Sequence, residues 1–129
     1  MRLPAADDEG SAPAEFAMVS GLLVLLVVAV LQLALALHVR NTVIDAAAEG
    51  ARYGALADRG AVDAVRRTHQ LITLAVGEDY ARDVTVAEGR LGDREILVVT
   101  VRATLPVFGL FGPAESWEAH GRAVVERLD

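Results

Sequence analysis

FAMVSGLLVLLVVAVLQLALALHV, residues 16–39, contains no charged side chain, and its polar side chains are Ser20, Gln32 and, near the end, His38. As a helix rising about 1.5 Å per residue it extends roughly 36 Å, enough to cross the hydrocarbon core of a bilayer with some tilt. A buried core helix is the competing reading. It fails on size, because about 90 residues follow the run and cannot surround so long an apolar cylinder. A cleavable secretory signal is weaker still. Ala34-Leu35-Ala36 has the small-x-small form, but the run is longer than an ordinary signal core and the segment before it is acidic. The sequence therefore predicts a transmembrane helix over residues 16–39.

Immediately upstream stands GSAPAEF, residues 10–16. A carboxylate at the mouth of a membrane-length helix is costly, and its presence points to a functional partner. Glu15 also has a plain structural reading, since an acidic side chain in the first turn of a helix interacts favourably with the helix dipole. Pro13 is equally at home near a helix start. The position of Gly10 favours the functional reading. Cleavage of the peptide bond after Gly10 would make Ser11 a new N-terminal amine and Glu15 the fifth residue of the mature chain. A neighbouring chain's new amine could then neutralise the carboxylate at the low-dielectric edge of the membrane.

Downstream, residues 40–57 contain no proline, and small residues recur in two adjacent i, i+4 rows, Ala46-Gly50-Gly54 and Ala47-Ala51-Ala55. Such rows let helix backbones approach closely. Ala46, Gly50, Ala51 and Gly54 are thus candidate helix-packing residues, facing either helices of neighbouring proteins or the chain's own small domain. Gly50 and Gly54 each weaken an isolated helix by up to ~1 kcal/mol relative to alanine, so a packing partner should compensate.

After the turn signal Asp58-Arg59-Gly60, residues 61–76 predict an amphipathic helix with Val62, Val65, His69, Ile72 and Val76 on one face. Asp63, Arg66, Arg67 and Gln70 are its polar side chains, and Asp63 with Arg67 has a favourable i, i+4 order. Three strands follow. Residues 83–88 are short, with Val84 and Val86 on one face. EGRLGDR, residues 88–94, is of hairpin-loop length. Residues 95–105 alternate Leu97, Val99, Val101, Ala103 and Leu105 with Thr100, Arg102 and Thr104. Residues 117–127 alternate Trp117, Ala119, Gly121, Ala123 and Val125 on one face. Three strands with one apolar face need cover from a helix. The loop PVFGLFGP, residues 106–113, carries Phe108 and Phe111, expected to fold back into the core.

The fold class predicted is α+β: a long N-terminal helix with a transmembrane segment, one further helix and a three-stranded antiparallel sheet. The domain plan is a leader over residues 1–10, a long helix over 11–57 and a small domain over 58–129. With no cysteine, disulfides and thiolate metal sites are excluded. His38, His69 and His120 share no ligand spacing, so no metal is expected. A net charge of −6, with all 12 basic residues arginines scattered along the chain, argues against nucleic acid as a partner. No phosphate-cradling loop, Ser/His/Asp context or carboxylate pair assembles an active site, so neither an enzyme, nor a cofactor, nor a small-molecule substrate is expected.

Together these stretches resemble the TadE-like pseudopilins of the tight-adherence (Flp-type) pilus system. GSAPAEF resembles a prepilin-peptidase site, with Gly10, Ser11, Glu15 and Phe16 as its residues. RNTVIDAAAEGARYGA, residues 40–55, resembles the family's most recognisable block, through Asn41, Glu49, Gly50, Ala51, Arg52 and Tyr53. The tail over residues 96–126 resembles the family's closing layout. The resemblance implies a minor pilin-like subunit, cleaved by a membrane aspartic prepilin peptidase. It also implies partners among other pilin-like subunits and an inner-membrane assembly platform. The expected location is the cytoplasmic membrane, single-pass, with the N-terminus cytoplasmic and the C-terminal domain extracytoplasmic. A count of arginines alone, with Arg40 and Arg52 after the span, favours the opposite orientation. The competing functional class is an uncleaved, membrane-anchored binding module of an envelope or secretion complex.

Overall fold

A computed structural model describes residues 10–104 and 116–127 of the chain. The elements run α1 (Ser11–Gly54), α2 (Ala61–Ala75), a 3-10 turn (Glu78–Ala81), β1 (Asp83–Leu91), β2 (Arg94–Thr104) and β3 (Ser116–Val124). The long helix, the second helix and the three-stranded antiparallel sheet make an α+β fold. Residues 1–9 of the expected leader, and the loop with Phe108 and Phe111, lie outside the described residues.

The chain divides into two compact units, Met1–Ala34 and Leu35–Asp129. In the first, the described residues are the N-terminal part of α1. Its large apolar side chains stand uncovered, among them Phe16 at 75%, Leu22 at 66% and Leu31 at 63% of full exposure. A run of this length with nothing packed on it calls for an apolar solvent, and α1 is long and apolar enough to cross a membrane. It is the one helix of that kind among the described residues, which suggests single-pass membrane anchoring.

In the second unit the character of the same helix changes. Ala36, Val39, Val43, Ala46, Ala47, Gly50, Ala51 and Gly54 are all buried. Of these, Val39, Val43, Ala46, Ala47 and Ala51 share one core with Ala64 and Ile72 of α2, Leu97, Val99 and Val101 of β2, and Ala119 of β3. Helix α2 begins at Gly60, whose N–H donates to the Asp63 carboxylate at 3.1 Å and so satisfies one orphan donor of the helix start. Strict alternation along β2 sends Leu97, Val99, Val101 and Ala103 inward, as the sequence pattern requires.

The sheet order is β1-β2-β3, and both pairings are antiparallel. Val86, Val99 and Gly121 form one inward row, and Val84, Val101 and Ala119 the next. On the outward face Arg102 stands between Asp83 and Glu118. Arg102 Nε donates to Glu118 Oε1 at 3.0 Å. That bond, reinforced by the arginine's charge, holds the Glu118 carboxyl below its ordinary value. The pair lies in open solvent, where salt screens it and its contribution to stability is small.

Three local expectations are corrected. The hairpin connection is two residues, Gly92 and Asp93, rather than a loop over residues 88–94. Gly89 and Arg90 pair with Ile96 and Glu95, which extends β1 to Leu91. Gly92 has φ of 64° and Asp93 does not, the sign pattern of a type II′ turn, in which glycine takes the first central position. Second, Asp63 pairs with Arg66, one turn on, and not with Arg67. Third, the inner face of α2 is Ala64, Thr68 and Ile72. Val62 stands 77% exposed and His69 is exposed. The inner face is rotated from the one that the largest apolar residues mark, because α1 presents glycines there and close approach selects small partners.

Candidate processing site and helix-packing surface

Gly10 directly precedes α1, which starts at Ser11. A Cβ built on Gly10 would meet nothing within 4 Å, so no described contact requires glycine there. Glu15 is exposed. It lies in the second turn of α1, whose first turn holds no acidic residue. The helix-dipole reading loses its footing at that distance, because the effect falls off within the first turn. Phe16 is likewise exposed and opens the apolar run.

The small-residue rows are explained by the fold itself. A Cβ on Gly50 would fall 1.8 Å from Thr68 Oγ1 and 2.9 Å from the Ala64 carbonyl oxygen. One on Gly54 would fall 2.5 Å from Ala64 Cβ. Helix α2 thus lies directly on the Ala46-Gly50-Gly54 row. Thr68, the buried polar side chain at this contact, donates to the carbonyl of Ala64 at 2.9 Å, with the Ala46 carbonyl at 3.5 Å. The neighbouring row meets the sheet: Ala47 and Ala51 are fully buried in the shared core. Gly121 of β3 crosses so near that an added Cβ would lie 2.2 Å from the Ala47 carbonyl carbon. Ala46, Gly50, Ala51 and Gly54 therefore pack within the chain's own domain.

Sequence reasoning placed Gly121 on the inward face without seeing that β3 needs a glycine there. An isolated glycine inside an alternating strand was the available signal, since it marks close backbone approach.

Tyr53 has a different role from its neighbours. Its ring receives two guanidinium groups, Arg59 Cζ at 4.8 Å and Arg67 Cζ at 5.6 Å from the centroid. These two cation–π contacts tie the end of α1 to the following turn and to α2, and the second explains why Arg67 is not spent on Asp63. Asn41, Glu49 and Arg52 are exposed and make no side-chain hydrogen bond or ion pair among the described residues. The candidate residues thus fall into a processing group at the start of α1, a packing group inside the domain, and an exposed polar group on the outside of α1. No cluster of three or more His, Cys, Asp or Glu suited to a metal ion occurs among the described residues.

Residues 10–52 match the family model of TadE-like proteins. This part of the chain, about a third of its length, is similar to that family. The match begins at Gly10 and ends at Arg52, so it takes in the candidate cleavage residue, the apolar run and the first two residues of each packing row, and leaves Gly54, Ala55, α2 and the sheet outside. No curated protein and no solved structure matches the chain. The TadE-like match agrees with single-pass anchoring through α1.

Proposed function

We propose that the chain is a minor pilin-like membrane subunit, cleaved after Gly10 by a prepilin peptidase and acting in assembly of a tight-adherence pilus or a related secretion apparatus. The observation that carries this reading is the construction of α1. One helix starts at the candidate scissile bond, exposes Glu15 at its second turn, continues as an uncovered apolar run and ends as the core of a folded domain. The TadE-like match spans those same parts. In this reading the leader is cytoplasmic, the helix sits in the cytoplasmic membrane and the domain over residues 58–129 is extracytoplasmic. The packing row is consumed inside the domain, which leaves exposed Asn41, Glu49 and Arg52 as the part of the motif open to other pilin-like subunits or the assembly platform.

Glu15 acts after cleavage, as the counter-charge to the amine of a neighbouring subunit's Ser11. Glu15→Ala leaves loss of the leader intact but lowers surface piliation more than about tenfold, because an amine at the membrane edge is left without its partner. Piliation is measured in cells carrying the variant as their sole copy. Unchanged piliation with normal cleavage contradicts the role given to Glu15. An uncleaved but functional protein favours a permanently anchored binding module instead.

A further inference from the structure

We propose that the membrane-spanning part of α1 pairs with a second copy of itself, in parallel, along a seam of Gly21, Leu25, Val28 and Gln32, with the Gln32 amides hydrogen-bonded to each other. The inference rests on the membrane reading of α1, but not on cleavage or on pilus assembly.

Two independent observations meet on this face. Gln32 carries an amide, two N–H donors and one carbonyl acceptor, inside the apolar run, and it makes no side-chain hydrogen bond among the described residues. In hydrocarbon there is no water to satisfy these groups, so an interhelical partner is strongly favoured. Gly21, the run's glycine, is a poor helix former at mid-helix, and a Cβ there would meet nothing within 4 Å. No described residue uses the space its missing side chain leaves.

Gly21 and Gln32 are 11 residues apart, three helical turns to within about 20°. Leu25 and Val28 fill the interval at spacings of four, three and four, the pattern of a two-helix seam. A glycine on such a seam allows the two backbones to approach closely.

The occupant follows from the chemistry. All copies of one chain insert in the same direction, so each Gln32 lies at the same depth as its counterpart. An amide is self-complementary: the N–H of one donates to the carbonyl of the other, and the reverse. A second copy therefore supplies the required partner at the required depth.

The chain has no cysteine, so single-cysteine variants report contacts without background. Leu25→Cys and Val28→Cys, placed on the seam, are compared with Leu23→Cys and Val30→Cys on the opposite side of the helix. The full chain is oxidised in its native membranes and the cross-linked dimer is quantified. Dimer is expected from the two seam positions and not from the two control positions. Adding Gln32→Leu should lower the seam dimer about fivefold. That change makes the span more apolar, so failed insertion does not account for the loss. Equal cross-linking at all four positions, absence of dimer at the seam, or a dimer indifferent to Gln32→Leu overturns the proposal. Carbonate extraction of the same membranes separates the two readings. A retained protein without seam dimer defeats the pairing alone, whereas a released protein defeats the membrane reading and the pairing with it.

Discussion

Replacing Gly121 by alanine is expected to cost the folded domain about 3 kcal/mol or more, the upper end of ordinary overpacking. The added methyl would lie 2.2 Å from the carbonyl carbon and oxygen of Ala47 and 2.4 Å from the amide nitrogen of Ala48. All three are backbone atoms of α1, so no side-chain rotation relieves the clash, and β3 or the helix must move. Movement in turn disturbs the pairing of Gly121 with Val99 at the centre of the sheet. In a domain of this size 1 kcal/mol corresponds to ~4–8 °C, so the melting midpoint should fall by more than about 12 °C. Trp117, the chain's single tryptophan, lies in the same strand and reports the transition by fluorescence. Gly89→Ala is the control. There the nearest atom is the Ile96 Cγ1 at 3.3 Å, part of a flexible side chain, and a much smaller loss is expected. Equal effects at the two positions would contradict the close crossing of β3 over α1.

The second large effect is expected at Gly50, where two forces oppose. Helix propensity alone predicts that Gly50→Ala stabilises α1 by up to ~1 kcal/mol. The new Cβ, however, would sit 1.8 Å from Thr68 Oγ1, 3.0 Å from Thr68 Cβ and 2.9 Å from the Ala64 carbonyl oxygen. Thr68 is fully buried and its hydroxyl is engaged with the Ala64 carbonyl, so it does not swing away freely. Overpacking of this kind costs about 1–3 kcal/mol and outweighs the propensity gain. Gly50→Ala should therefore lower the melting midpoint. Adding Thr68→Ala should recover part of the loss, since it removes the nearest atom but not the carbonyl. A stabilised Gly50→Ala would mean that α2 does not lie on this face of α1.

How legible these features were differs with their physical origin. The apolar run and the alternation of Leu97, Val99, Val101 and Ala103 are repeating signals, and the structure follows them closely. The two small-residue rows were visible as places where something packs closely, but sequence spacing does not say whether the partner belongs to the same chain. Here it does, through Thr68 and Ala64 on one row and Gly121 near the other. The inner face of α2 was misread for a related reason. Val62 and Val65 are larger than Ala64 and Thr68, yet the part of α2 seated on Gly50 and Gly54 buries the smaller pair and leaves Val62 outside. Arg67 was assigned to Asp63 by local spacing, whereas a contact with Tyr53, distant in sequence, claims it. The hairpin loop was drawn too long because its two glycines both looked like turn residues. Gly89 is paired in the ladder and only Gly92 adopts the positive φ.

The candidate processing site rests on the sequence alone, on a local pattern of a glycine, a spacing and a carboxylate. The structure adds that no described residue lies close enough to Gly10 to require glycine there, and that Glu15 lies beyond the first turn of α1.

The most direct test is the N-terminal sequence of the protein recovered from its native membrane, determined with the prepilin peptidase present. A chain that starts at Ser11 is the result predicted. A chain that retains the bond after Gly10 contradicts cleavage, returns Glu15 to an ordinary exposed helix residue and leaves a permanently anchored membrane protein.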